Sequence, residues 1–186
     1  LHAKDTSRKV RAVKKLQAER GERLGGKPPY GYKTSEADPT HLEPDAEAAE
    51  VVRQIFTLCA SGKGPSQIAR ILTEQNILTP ANYYFQKTGK THHGCDPLRP
   101  CAWSGTTVSD ILGNLVYLGH TVGLRRTTIS YKNKTIVQRP ESEQFLVENT
   151  HPPLISQEQW QIVQEVRRHK KRTAKQMDEP NLFSGL

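Results

Sequence analysis

Apolar residues recur at helical spacing in several separate stretches of the chain, and these stretches predict its main helices. One predicted helix of the globular part begins near Pro44, where acidic residues suit a helix N-terminus, and runs to about Ala60, before Gly62. Its apolar face consists of Ala48, Val51, Val52, Ile55, Phe56 and Cys59. Cys59 is therefore interpreted as a small core residue rather than a metal ligand.

Two further helices complete the predicted bundle. One starts at Gly64-Pro65-Ser66 and runs to about Asn76, and the short glycine-containing turn before it is typical of a helix-turn-helix-like unit. The next begins with Ser104 as N-cap. Its exposed side presents the short side chains of Thr106, Thr107 and Ser109, which is typical of a recognition helix in the major groove of DNA. The alternative is an ordinary capped core helix.

From Tyr117 the pattern changes to alternating, β-branched residues. It predicts a hairpin whose second strand is Thr135-Ile136-Val137, with Phe145-Leu146-Val147 as a possible third strand. The hairpin is basic and suited to contact with a phosphate backbone through Arg125, Arg126 and Lys132, although charged edge strands also prevent aggregation. A final helix, opened by the capping residue Ser156, ends in the cluster from Arg167 to Arg172.

The first 24 residues contain no proline and predict a basic helix. Lys4, Arg8, Arg11 and Lys15 share one face at helical spacing, and this stripe is expected to contact phosphates. The alternative is a solvated charged face. The apolar residues of this helix are too few for a core of its own, which indicates that it belongs to a larger unit.

Between this helix and the globular part lies a glycine- and proline-rich strap, residues 25–35, which has no regular periodicity. Its side chains Lys27, Tyr30, Tyr32 and Lys33 are expected to lie along a nucleic-acid groove, with ammonium groups on phosphates and rings against sugars. The alternative is a linker whose tyrosines pack on the following domain. The local sequence leaves both open.

Charge narrows the choice of partner. The chain has 186 residues and a formal net charge of +8, which favours a polyanion, and double-stranded DNA is the expected partner.

No apolar run approaches the roughly 20 residues needed to span a bilayer. Three cysteines without a paired pattern do not make a disulfide framework. The expected location is therefore cytoplasmic, with no membrane partner.

No catalytic or cofactor site is predicted. Residues 79–102 are polar and irregular and predict a loop, in which His92, His93, Cys95 and Cys101 lack the spacing of a structural zinc site. Phosphate-cradling loops, a serine beside a base and clustered carboxylates are not found, and the His-x-x-Arg element at His169 has no tyrosine nucleophile after it. We therefore expect no catalytic residue, metal or cofactor.

Several motifs together resemble the recombinase domain of the large serine recombinases. They are Gly26-Lys27-Pro28-Pro29-Tyr30-Gly31-Tyr32, Ala69-Arg70-Ile71-Leu72 with Asn76-Ile77-Leu78-Thr79-Pro80, Trp103-Ser104, Ile111-Leu112-Gly113-Asn114 and Tyr117-Leu118-Gly119. The resemblance implies a catalytic domain, with its nucleophilic serine, upstream of Leu1 and a zinc ribbon after Leu186. Residues 83–100 and 130–134 look more like the transposases of mobile conjugative elements than the phage integrases.

The sequence thus predicts an α+β, mainly helical fold, a helix-turn-helix-like bundle with a small antiparallel hairpin or sheet after a basic connecting helix. The expected divisions are 1–24 (connecting helix), 25–35 (linker), 36–175 (recombinase domain) and 176–186 (linker toward the zinc ribbon). The expected function is to bind an attachment half-site and position the catalytic domain and its partner subunits for integration or excision. Two alternatives remain, a free-standing helix-turn-helix regulator and a small zinc-dependent hydrolase.

Overall fold

The computed structural model describes residues 2–129, 133 and 135–170. Within these residues the helices are α1 (His2–Glu19), α2 (Ala46–Ala60), α3 (Pro65–Glu74), α4 (Pro80–Thr88), α5 (Gly105–Leu112) and α6 (Gln157–Lys170). The strands are β1 (Tyr32–Thr34), β2 (Leu42–Pro44), β3 (Thr121–Gly123), β4 (Arg126–Thr128), β5 (Ile136–Gln138) and β6 (Phe145–Val147). Short 3-10 helices span Leu115–Leu118 and Glu141–Glu143. The predicted α+β, mainly helical class is confirmed.

The core lies between α2, α3, α5 and α6. α3 packs against α5, and α2 packs against α6 as well as against α3 and α5. The apolar faces predicted from the sequence are the ones that are buried, since the core includes Ile55, Phe56, Cys59, Ile68, Leu72, Val108, Leu112 and Val163. The prediction that Cys59 is a core residue is confirmed, because its side chain is buried in this cluster.

The strands form three separate antiparallel pairs. β1 pairs with β2 directly after the strap, and β4 pairs with β5 as the predicted basic hairpin. The possible third strand is present as β6, and it pairs with β3, placing Thr121 opposite Val147. Lys132 and most of the hairpin tip lie outside the described residues, as do residues 171–186.

Two predicted boundaries are wrong. α1 ends at Glu19 rather than near residue 24, because Gly21 takes a left-handed conformation with φ of +71°. Residues 80–88, expected in a loop, form α4. Pro80 occupies the first turn of that helix, where proline is favoured, and Gly89 closes it in a left-handed conformation.

The segment after α5 also differs from the prediction. Tyr117 lies in a 3-10 helix rather than in a strand, and its side chain is buried.

Both predicted serine caps are present. Ser104 Oγ accepts the Thr107 N–H at 3.1 Å at the start of α5, and Ser156 Oγ accepts the Gln159 N–H at 3.2 Å at the start of α6.

Candidate nucleic-acid interface

The strap is fixed to the helical bundle by its aromatic residues. Tyr32 is buried, and its hydroxyl donates to the carbonyl oxygens of Pro152 (2.9 Å) and Val116 (3.3 Å). The Tyr117 hydroxyl donates to the Tyr30 carbonyl at 2.9 Å. The Tyr30 ring packs edge-on against Trp103, with centroids 5.8 Å apart. The two strap tyrosines therefore pack on the domain, and the expectation that their rings lie along a groove is corrected.

A buried histidine completes this anchor. His151 packs edge-on against Tyr32, with ring centroids 4.8 Å apart, and its Nε2 lies 2.8 Å from the Val116 carbonyl oxygen. Because a carbonyl only accepts, Nε2 carries the proton in this arrangement. Burial lowers the pKa of His151 below its ordinary value, so the neutral ring is favoured. The strap is thus held by a neutral polar cluster.

The anchored strap forms one wall of a cleft of about 270 Å³, here called the strap cleft. Arg23 and Lys27 line one side, and His120 and Arg125, near β3, line the other. Glu22, a carboxylate at its rim, is paired with Arg20 at 3.7 Å. Arg23, Lys27 and Arg125 thus all contribute to the lining of this cleft, and a basic lining suits a phosphate backbone. The Lys27 ammonium itself lies by Pro80 and Tyr84, on a neighbouring cleft.

The strap cations are held in place by neutral groups. Arg23 donates to Thr34 Oγ1 at 3.2 Å and to the Gly26 carbonyl, and burial lowers the pKa of its guanidinium. Lys27 Nζ donates to the Pro80 carbonyl at 3.0 Å and lies 5.0 Å from the centroid of the Tyr84 ring. Burial also lowers the pKa of the Lys27 ammonium. Since an ammonium has three donors, Lys27 keeps donors for a ligand.

The basic stripe of α1 lies next to the strap cleft. Ala18 follows Arg11 by two helical turns and Lys15 by three residues, so it continues the face of the stripe. Ala18 is buried against Gly123, where an added Cβ would lie 2.6 Å from the Ala18 Cβ, and Gly123 also lines the strap cleft. The stripe therefore faces the side on which the body of the domain lies.

The described stripe side chains are accessible. Arg8 and Arg11 are exposed and make no ion pair within the described part of the chain, and Lys15 lies 3.8 Å from Glu19 in a surface pair. Such a pair contributes little and is readily exchanged for a phosphate. The side chain of Lys4 lies outside the described part.

The remaining predicted cations divide between two locations. Arg126, in β4, is exposed on the basic hairpin next to Arg125. Lys33, in β1, lies on a second cleft of about 210 Å³, which Lys27, Tyr83 and Lys87 also line. Lys33 Nζ is 4.0 Å from Glu43. Arg126 is thus an exposed cation of the basic hairpin, whereas Lys33 lies on the second cleft.

The predicted recognition residues of α5 have different environments. Thr106 is exposed at the N-terminus, while the Thr107 hydroxyl lies 2.9 Å from Ser104 Oγ and takes part in the cap. Ser109 Oγ accepts from Arg167 at 3.2 Å, which occupies its hydroxyl with an intramolecular bond. Of the three, Thr106 has the side chain that is most available to a ligand.

The sequence reasoning missed two cleft residues. Arg23 lies two residues before Gly25, the first residue of the strap, and this proximity is the signal that would have included it. Its guanidinium is held by Thr34, 11 positions away in the chain. His120 lies opposite the strap, and only the long-range fold brings it there. The predicted cations Lys27 and Arg125 do meet at this cleft, although almost one hundred residues separate them in the chain.

Within residues 2–129, 133 and 135–170, no group of three or more His, Cys, Asp or Glu side chains is arranged to hold a metal ion. Cys95 Sγ lies 3.3 Å from Asn82 Oδ1, and the His92 ring packs against Tyr84. Two of the four potential ligands, His92 and Cys95, thus contact α4. In the same residues no helix has the length and apolar character that crossing a membrane requires.

The family model of the Recombinase family matches residues 46–170, which is more than half of the chain. The chain belongs to this family, and the resemblance to a recombinase domain is confirmed. The matched region starts at α2 and ends with α6, so it contains the whole four-helix core.

Two solved structures are similar to the chain. One is a crystal structure of an LSR–DNA complex, with 19% identity and a TM-score of 0.48 over 86% of this chain and 38% of that chain. The other concerns the sequence requirements of the Listeria innocua prophage attP site, with 21% identity and a TM-score of 0.42 over 84% of this chain and 50% of that chain. The chain spans half or less of the length of these proteins.

Proposed function

We propose that the chain is the DNA-binding recombinase domain of a large serine recombinase and docks one subunit on half of an attachment site. The observation that carries the proposal is the strap cleft, whose lining includes Arg23, Lys27 and Arg125 and which lies beside the basic stripe of α1. Family membership supports the same conclusion. The solved LSR–DNA complex, although distant, concerns the same kind of partner.

In this proposal the basic surface supplies affinity without reading sequence. Seven cations contact phosphates of one duplex. They are Arg8, Arg11 and Lys15 on α1, Arg23 before the strap, Lys27 on the strap, and Arg125 and Arg126 at the hairpin. Each neutralised phosphate releases counterions, so binding weakens steeply as salt rises. The neutral anchor formed by Tyr32, Tyr117 and His151 keeps the strap in position before DNA arrives, which reduces the ordering cost of binding.

Sequence preference is assigned to the N-terminus of α5. Thr106 is the exposed hydroxyl there, while Thr107 and Ser104 hold the helix cap. A short hydroxyl side chain lets the backbone approach base edges in the major groove. The catalytic steps of integration or excision of a mobile element belong, in this proposal, to other parts of a longer polypeptide, for which residues 2–19 form the connecting helix.

Selection from a library of duplexes with randomised half-sites tests this function. We expect one enriched motif, with Thr106→Ala changing the preference at one or two base pairs by about 1–3 kcal/mol each. Arg126→Ala is expected to weaken binding to all sequences by a similar factor. A selection without an enriched motif would overturn the half-site proposal. A base preference that changes with Arg126→Ala but not with Thr106→Ala would assign recognition to the hairpin.

A further inference from the structure

Three separate depressions that share lining residues extend from the strap cleft to α6. A central depression of about 210 Å³ shares Val122 and Arg125 with the strap cleft. The same depression shares Gly113 with a larger cavity of about 550 Å³, here called the α6 cavity. The central depression is thus adjacent both to the strap cleft and to the α6 cavity.

Among the described residues, the lining of the α6 cavity includes three cations and no carboxylate. Lys63, Arg167 and Arg168 contribute the charge, and the other lining residues are Cys59, Pro65, Ser109, Gly113, Gln164 and Val166. Neither Lys63 nor Arg168 makes an ion pair within the described residues. Lys63 also lies two residues before Pro65, the first residue of α3, where the helix dipole adds positive potential.

Arg167 connects this cavity to α5. Its Nη2 donates to the carbonyl and hydroxyl oxygens of Ser109, both at 3.2 Å, and its Nη1 donates to Gln164 Oε1 at 3.1 Å. Gln164 Nε2 donates to the Leu112 carbonyl at 2.8 Å. The last turn of α5 is thus capped by two α6 side chains, a favourable place for a cation. Within the described part of the chain, the Arg167 guanidinium has neutral hydrogen-bond partners and makes no ion pair.

We propose that the α6 cavity binds the phosphodiester backbone of the same duplex, through Lys63 and Arg168, at the end of the footprint opposite to α1. Arg167 is a positioning residue, because its hydrogen bonds to Ser109 hold α5 at a fixed position relative to the cavity. This proposal rests on the proposed function and deepens it, because it extends the DNA contact to the C-terminal helix. It also explains why Ser109 is bonded to Arg167 rather than free to read bases.

The test compares the full chain with two double variants that lose the same charge. Lys63→Gln/Arg168→Gln removes the cavity cations. Arg70→Gln/Lys90→Gln is the control, because Arg70 is 81% exposed and paired with Glu74, and Lys90 is exposed after α4 and lines neither cleft nor cavity. We expect the slope of log K against log salt to fall by about 1.8 in the first variant, from about 0.9 per phosphate, and to change little in the second.

Ethylation interference on the selected duplex locates the contact. The wild-type chain should show sensitive phosphates at one end of the footprint that become insensitive in Lys63→Gln/Arg168→Gln only. Equal slopes in the two variants would overturn the proposal while leaving the proposed function intact. If the wild-type chain binds no DNA, the proposal for the α6 cavity and the proposed function both fail. If Lys63→Gln/Arg168→Gln weakens the binding of inorganic phosphate but leaves the DNA footprint unchanged, the cavity binds a free anion. That result would also overturn the proposal.

Discussion

The contact between α1 and the body of the domain offers a sharp perturbation of the proposed interface. Replacing Gly123 by alanine would place a Cβ 2.6 Å from the Ala18 Cβ and 3.2 Å from its Cα, so the helix backbone itself has to move. Overpacking of this kind costs about 1–3 kcal/mol. Because α1 otherwise touches the body near Gly21, against Val147 and Thr150, we expect Gly123→Ala to displace its basic stripe from the strap cleft.

The consequence for DNA binding follows from the number of stripe cations. If Arg8, Arg11 and Lys15 each contact a phosphate, their displacement lowers the slope of log K against log salt by up to about 2.7, at about 0.9 per contact. Fluorescence anisotropy with a labelled duplex between about 50 and about 200 mM salt measures this slope. A slope equal to that of wild type would refute the idea that α1 and the strap cleft act as one surface.

A second substitution provides the control. Ala18→Gly removes the methyl group that the new Cβ meets, so Ala18→Gly/Gly123→Ala should recover most of the slope, although glycine in a helix costs about 1 kcal/mol. The single variant Ala18→Gly should keep the wild-type slope. A double variant as impaired as Gly123→Ala would show that the clash is not the cause.

Three further predictions concern the anchor of the strap. Tyr32→Phe should lower the free energy of unfolding by about 1 kcal/mol, the usual worth of one hydrogen bond, and leave the base preference of DNA binding unchanged; a changed base preference in the half-site selection would restore the groove-reading role. Trp103→Phe removes the donor that meets the Ile77 carbonyl at 2.9 Å and should destabilise the fold by about 1–3 kcal/mol in urea unfolding. Trp160→Phe, which keeps a ring against Phe56, should cost less, and equal losses would argue against the hydrogen bond. Burial lowers the pKa of His151, so the unfolded chain takes up a proton first as pH falls through the ordinary value of 6.5. Stability should therefore fall with pH there and level off below the folded-state pKa, and His151→Gln should flatten this dependence in urea unfolding curves.

The helical core was predictable because its signal is local. Ile55, Phe56 and Cys59 recur at helical spacing, and burial of that face needs no knowledge of distant residues. The error at α4 has a local cause too. Proline breaks a helix interior but favours its first turn, and Pro80 is in the first turn. Length and composition alone did not separate a proline that breaks a helix from a proline that begins one.

The candidate site was predictable only in part. Lys27 and Arg125 were identified as cations, but only the packing of the chain brings them to one cleft. The role of Tyr32 depends on the close approach at Gly31, where φ is +94° and an added Cβ would lie 2.9 Å from Val52. A tyrosine that packs inward and one that lies in a groove have the same sequence pattern, so the prediction left both alternatives open.

The most direct test of the central claim compares two triple variants of equal charge. Arg11→Gln/Lys27→Gln/Arg125→Gln removes cations from the stripe and the strap cleft, and Arg70→Gln/Lys90→Gln/Arg99→Gln removes cations that line neither. The quantity to measure is the salt dependence of affinity for a duplex half-site. The account predicts a slope lower by about 2.7 for the first variant and a slope close to wild type for the second. Equal slopes for the two variants would contradict it.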